Sequence, residues 1–597
     1  MKNNTILNTL RTRVQAPGIL TAGVLALSQA FCVGVSAEVI PTVAPTPYTP
    51  ADSTKTFWAD SMKSKLSELK TQSYQLPPTR AKNVILFIGD GMGISTITAA
   101  RILEGQKVKG STKGEENLLA FEKFPNVALS RTYSVNQQVS DSAPTMTAMV
   151  AGVKNNDGAL AVTADVARGK DITSPIQNLK TILEQDKDRQ MAAGIVSTAR
   201  VTHATPAACY AHISDRDREH DQKLTTMTTK DIAAQLLDCN AGKSIEVVLG
   251  GGRTYFMPSD QKDPEYTTLS GKRKASSAGG RDLITEWKKL PARITNATTG
   301  ASLGLSTLPA DNSRSAYVWK KSDFDAINPA NVDRLLGLFE PSHVQYEADR
   351  ENDPAGEPSL EAMTTKAMDI LSKNRNGYFL MVEGGRIDHG HHAGNAYRAL
   401  TDTIALSNAV KAAAAKAGDD TLIVVTADHS HVFTIAGYPD RGNPILGLVK
   451  SGGSLATDLL GLPYTTLGYA NGPGYTGALS GADVTAYAAN AAEGVKTQKT
   501  LLSAGDGGAT FYRSTTLGIA TGRPNLTSVA TDGRDFMQES TVPLGSETHA
   551  GEDVAIFAKG PNAHLFRGNL EQSMIYWIMA DALRLPPING NVSWPGN

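Results

Sequence analysis

Eight of the eleven histidines fall in four short segments: His203 and His212; His389, His391 and His392; His429 and His431; and His549. In VEGGRIDHGHHAG, Asp388 and His392 stand four apart, so one helical turn aims both at a single ion. In VVTADHSH, Asp428 and His429 sit where an apolar run ends, and ETHAGED places His549 just ahead of another. In VILFIGDGMG, Asp90 closes a run and is flanked by Gly89, Gly91 and Gly93. Carboxylate with imidazole suits zinc, whereas carboxylate with hydroxyl and water suits magnesium. There are more candidate ligands than one ion can use, which points to a centre of several metals. His220, His343 and His564 lie apart and read as structural.

Two further segments supply a nucleophile and an anion clamp. VSDSAPTMTAMVAGVK puts Ser142 after Asp141 and ahead of small residues that open a helix. A serine there faces an anion site and becomes a nucleophile if a metal lowers its pKa; the alternative is a plain N-cap. TARVTHATPAACYAHISDRD supplies His203, Thr205 and Arg216. Arg216 could grip two phosphate oxygens at once, or be an ordinary solvated charge. GDGMG lacks the glycine spacing of a dinucleotide loop, and its acid would repel a pyrophosphate.

Six apolar runs must position these groups: 83–90, 191–198, 245–252, 378–385, 421–428 and 554–560. Continuous apolar runs that alternate with helical stretches predict an α/β fold whose large, mostly parallel central sheet is flanked by helices. Ligands of such sheets bind at the carboxyl ends of the strands, where Asp90, Glu383 and Asp428 fall. Phe57, Trp58, Met62, Leu66 and Leu69 recur at near-helical spacing and predict an arm helix within 38–80, behind a Pro- and Thr-rich linker. Polar loops occupy about 258–330, and 440–545, rich in Gly, Thr and Ala, reads as an inserted subdomain. The catalytic domain is then 81–439 with 546–597.

Lys2, Arg11 and Arg13 precede an apolar run ending at Val35-Ser36-Ala37, the pattern of a signal peptide over 1–37. This predicts an exported protein, periplasmic or secreted, with no membrane span once processed. Cys209 and Cys239 would then remain, as a disulfide or as two buried thiols. The 597 residues carry 58 Lys and Arg against 59 Asp and Glu, a net charge of −1, which argues against a nucleic-acid groove. Three cysteines exclude a four-thiolate zinc site.

The strings NVILFIGDGMG, DSAPTMTAMVAGVK, HATPAACYAHISDRD, LMVEGGRIDHGHHAG, VVTADHSHVF and ETHAGEDVAIFAKGP closely resemble alkaline phosphatases, in the family's order across roughly residues 83–575. The resemblance implies the alkaline-phosphatase-like fold, with 440–545 matching the crown subdomain in position. It implies hydrolysis of a broad range of small phosphate monoesters through a phosphoserine on Ser142, with Arg216 binding phosphate. Asp388, His392 and His549 resemble the ligands of a first zinc, and Asp428, His429 and Asp90 those of a second. Asp90 would bridge to a magnesium held by Thr205 and Glu383. His203 and His389 follow the animal-type pattern, which places them behind the magnesium position. A calcium site would draw on Phe339, through its carbonyl, and Glu340, with Glu286 and Glu357 as partners. The family is usually homodimeric. A diesterase or sulfatase of the same superfamily is the nearest rival, but DSAPT lacks the arginine of the sulfatase CxPxR motif. A non-catalytic adhesion module would leave the nucleophile and the ordered ligands unexplained.

Overall fold

Asn83–Gly89 (β1, NVILFIG) has almost no polar side chain to offer water, so it is stable only where both faces are covered. The computed structural model, which describes residues 55–72, 80–108, 114–223, 228–238, 245–274, 280–290, 314–476 and 523–585, places it mid-sheet. The other strands are Asn126–Arg131 (β2), Ala192–Arg200 (β3), Val247–Gly251 (β4), Ser315–Val318 (β5), Arg334–Leu338 (β6), Tyr378–Gly384 (β7), Thr421–Ala427 (β8), Val554–Lys559 (β9) and Gly568–Glu571 (β10). Among the described residues they form one ten-stranded sheet in the order β10-β2-β9-β8-β1-β7-β3-β4-β6-β5. Only β9 runs against its neighbours β8 and β2; the other pairings are parallel. The fold is thus α/β with a mostly parallel central sheet.

Alternation along β1 divides the core in two. Val84, Leu86 and Ile88 face a layer that includes helices Lys55–Gln72 (α1), Ser142–Ala151 (α3) and Met574–Leu583 (α7). Ile85 and Phe87 face Ile94–Leu103 (α2), Leu360–Leu371 (α4) and Ala396–Lys416 (α6). In α1 the buried residues include Trp58, Met62 and Leu66. Each fully buried Leu or Ile contributes about 1.5–3 kcal/mol, which holds the sheet between its two helical layers.

Parallel register then does the positioning. Gly89 lies opposite Ala427 of β8, so the residues that follow, Asp90 and Asp428, leave the sheet side by side. Glu383 of β7 lies opposite Ile88 on one side and Ser197 of β3 on the other. Directly after β7, Arg386–His392 (α5) carries Asp388 and His392 on successive turns. Gly91 turns the chain away from the sheet at φ 68°, and a Cβ there would stand 2.3 Å from the His431 ring, so only glycine fits.

Within 440–545 the described residues form a hairpin, Lys450–Ser451 with Ser454–Leu455. Leu467–Gly472 pairs with Phe433–Ile435 on one side and Ser540–Pro543 on the other, in a three-stranded sheet separate from the main one. The rest of that stretch, 477–522, lies outside the described residues, as do the signal-peptide and linker segments and Cys239. Cys209 is buried.

Candidate active site

Ser142 is the first residue of α3, and the cap is its neighbour: Asp141 accepts from the Ser142 backbone N–H at 2.6 Å. This corrects the N-cap alternative and frees the hydroxyl. The Ser142 Oγ lies 3.4 Å from Asp90 Oδ1 and 3.3 Å from His429 Nε2. His429 Nε2 is in turn 3.3 Å from Asp90 Oδ1 and 3.4 Å from Asp428 Oδ2. Donors of one tetrahedral zinc keep about 3.3 Å between them, so these four atoms could share an ion. Asp428 is oriented by its other oxygen, which accepts from the Gly91 and His429 backbone N–H groups at 3.0 and 2.9 Å. Asp428 Oδ2 has no hydrogen-bond partner although it is buried.

A second trio sits beside it. His392 Nε2 and His549 Nε2 are 3.1 Å apart, and each is 3.3 Å from Asp388 Oδ1. Their other nitrogens are engaged by carbonyls: His392 Nδ1 donates to Glu547 at 2.6 Å and His549 Nδ1 to Ser140 at 2.9 Å. With Nδ1 carrying the proton, each Nε2 presents a lone pair, the tautomer a metal needs. The His549 and His429 rings stack at 3.6 Å, which sets the two donor groups side by side. His392 and His549 are partly exposed while Asp90, Asp428 and His429 are buried, so the site opens on the first pair.

Behind Asp90 lies a third group. Asp90 Oδ2, Glu383 Oε1, Thr205 Oγ1 and His203 Nδ1 are all buried without a partner, and donor atoms of Asp90, His203 and Glu383 lie within 4.8 Å of one another. Buried polar atoms cost free energy when unpaired, so a set of four in one place could hold a cation. Ser197 donates to the remaining Glu383 oxygen. The charges are frustrated accordingly. Burial, then Asp428 and Asp388, push the Asp90 carboxyl well above its ordinary range, and burial lifts Glu383 to about 7.

Arg216 ion-pairs with Asp141 at 2.5 Å and donates to His203 Nε2 at 2.9 Å, so it stands next to the Ser142 segment. Burial alone would raise Asp141, but Arg216, then His549 and His429, outweigh it and hold the acid well below its usual range. Burial, then Arg216 and Arg200, depress His203 to about 3. His389 is 5.6 Å from His203 ring to ring, and His343, read from sequence as structural, packs against both at 4.1 and 5.4 Å. His212 is elsewhere, bonded to Glu184 and the Ala161 carbonyl.

Of the carboxylates expected near Phe339, not all come together. Glu340 gathers with Glu265 and Asp353, their donor atoms within 4.8 Å, while Glu286 is paired with Arg281 instead. The Phe339 carbonyl accepts from Arg253 at 3.0 Å. Glu357 accepts from the Gln345 backbone at 2.6 Å, and its other oxygen and both of Asp353 are buried without partners. Burial and then Glu357 raise Glu340; burial and then Asp353 raise Glu357; burial lifts Glu265 to about 7. No local spacing in DPEY or ENDP points to Glu265 or Asp353.

A family model described as alkaline phosphatase matches residues 81–585. The chain is 41% identical over 548 residues to the mouse tissue-nonspecific isozyme of alkaline phosphatase, covering 91% of each chain. It is 39% identical over 530 residues to the alkaline phosphatase of Gadus morhua, covering 88% of this chain and 95% of that one. The crystal structure of Thermus thermophilus alkaline phosphatase shares the fold, with a TM-score of 0.54 at 24% identity over 87% of this chain and 95% of that one.

Proposed function

Because the chain belongs to the alkaline phosphatase family, and is a phosphate monoester hydrolase, we propose that it works through a phosphoserine on Ser142 at two zinc positions and one magnesium position. Asp388, His392 and His549 would hold the first zinc. Asp90, Asp428 and His429 would hold the second beside the serine, and Asp90, Thr205 and Glu383 the magnesium, with His203 and His389 behind it. The observation that carries this reading is the spacing of the four donors Ser142 Oγ, Asp90 Oδ1, Asp428 Oδ2 and His429 Nε2, four of whose separations are 3.3 or 3.4 Å.

When bound, divalent cations there favour the serine alkoxide and neutralise charge on phosphoryl and leaving oxygens. Asp90 and His429 flank the Ser142 hydroxyl at the carboxyl ends of the central strands, where it would face phosphorus. The Oγ attacks in line, the ester P–O bond breaks, and the alcohol departs. Water then attacks the phosphoserine, releasing phosphate and restoring Ser142; two inversions give net retention. Arg216, held by Asp141, binds phosphoryl oxygens and makes no demand on the alcohol, so many monoesters are accepted. Hydrolysis of p-nitrophenyl phosphate at alkaline pH is expected to vanish on chelation and return with zinc and magnesium. Metal-loaded protein that prefers diesters would instead place the chain in a diesterase branch.

The Glu265, Glu340, Asp353 and Glu357 cluster is proposed to hold calcium, with the Phe339 carbonyl and without Glu286. Its pH signature has a definite sign. A carboxyl raised in the folded state, as Glu265 is to about 7, adds stability that is present below its ordinary pKa of about 4.3. That stability is lost as pH rises through the folded value. Calcium should therefore raise the melting temperature of zinc-loaded protein far more at pH 8 than at pH 5; equal shifts at both would refute the site. Residues 1–37 are proposed to direct export, and the mature chain to act as a homodimer. None of the described helices is long and apolar enough to cross a membrane.

A further inference from the structure

We infer that Glu547 is a positioning residue that orients two of the three donors of the first zinc position. The inference rests on the reading of Asp388, His392 and His549 as that position. Glu547 is fully buried at its side chain, where a carboxylate persists only if its oxygens are satisfied. One oxygen accepts from the Val432 backbone N–H at 2.8 Å. The other lies 2.5 Å from His431 Nδ1, and His431 Nε2 lies 2.8 Å from Asp388 Oδ1. His431 therefore bridges the Glu547 and Asp388 carboxyl groups through its two ring nitrogens.

That linkage has a consequence at the metal position. Asp388 Oδ1 is the atom that faces both His392 Nε2 and His549 Nε2 at 3.3 Å. One of its lone pairs is taken by His431, which fixes the direction of the other. The same residue acts a second time through its backbone: the Glu547 carbonyl receives the His392 Nδ1 proton at 2.6 Å, and its N–H donates to the His392 carbonyl at 2.9 Å. The side chain thus sets Asp388 through His431, and the main chain sets His392 directly. His549, two residues on, is carried by the same segment, where His549 and Ala550 pair with His431 and Ser430. Partners of this kind tune affinity because a donor locked in direction loses less freedom when it binds.

The test is a titration of purified full-length enzyme with a chelating zinc indicator, read as the affinity of each of two zinc ions. Glu547→Gln keeps the shape of the side chain and removes its charge. It should weaken one zinc by about 10- to 100-fold and leave the other at wild-type affinity. His431→Asn breaks the relay from its other end and should weaken the same ion; adding Glu547→Gln to it should cost little more, since the two act in series. A purely structural role would weaken both ions or give additive losses, and either result overturns the proposal. An Asp388→Ala control separates this from a wrong site. If the control loses one zinc while Glu547→Gln keeps both at wild-type affinity, only the role of Glu547 is wrong. If the control keeps both, the metal reading fails and the proposal falls with it.

Discussion

Ser142→Ala is expected to lower turnover of p-nitrophenyl phosphate by roughly four to six orders of magnitude, the scale on which removal of an attacking group acts. The loss should fall on kcat, with zinc content close to wild type and inorganic phosphate still bound. The reason is geometric. The hydroxyl is one of four donors at the buried position, and Asp90, Asp428 and His429 remain to hold an ion without it. Arg216 is fixed by Asp141 and His203, neither of which depends on the hydroxyl, so the anion clamp survives. Helix α3 should also survive, because its cap is Asp141 and Ser142 contributes only its backbone N–H. A variant that keeps more than about a hundredth of wild-type turnover would mean that water attacks phosphorus directly, a barrier difference of less than about 3 kcal/mol from the covalent route.

Asp90→Asn should be nearly as damaging, by a different path. Asp90 stands between two groups of donors: its Oδ1 faces Ser142 and His429, its Oδ2 is buried without a partner, and one of its oxygens lies within 4.8 Å of donor atoms of Glu383 and His203. An amide offers one neutral oxygen and a donor in place of two anionic oxygens, so both ions should be weakened together. Turnover is expected to fall by about three orders of magnitude or more, the several kcal/mol by which a metal lowers such a barrier. Stability should move the opposite way in metal-free protein. Burial and the Asp428 and Asp388 charges already press on the Asp90 carboxylate, so removing its charge should raise the melting temperature of the metal-free variant above that of metal-free wild type at pH 8. A melting temperature that fell in the metal-free state, with two ions still bound in the loaded state, would contradict the bridging role.

Much of this arrangement is legible along the chain, and the parts that are not share a physical cause. The six apolar runs are strands β1, β3, β4, β7, β8 and β9, because a segment buried on both faces must be apolar throughout. The remaining four are short or alternating: β2, NVALSR, exposes Val127 and Leu129 and buries Ser130, so its hydropathy does not follow its burial. Asp388 and His392 were readable because four residues make one helical turn, and Asp90 and Asp428 because each follows a strand. The contact between His431 and Glu547 was not, since 116 residues separate them and only the antiparallel pairing of 430–431 with 549–550 brings them together. The same holds for Glu265, which reaches Glu340 from a loop with no periodicity. Ser142 shows the converse limit: a serine before a helical run has the signature of a cap, and it took the Asp141 contact to show that the cap is one residue earlier.

A covalent phosphoserine on Ser142 can be trapped and located. Metal-loaded enzyme would be incubated with a phosphate monoester, quenched in acid, digested, and read by peptide mass spectrometry. One phosphoryl group is expected on the peptide that carries Ser142, absent from Ser142→Ala and from protein stripped of metal. An active enzyme whose Ser142 peptide is never phosphorylated, or whose phosphoryl group sits on another residue, would contradict it.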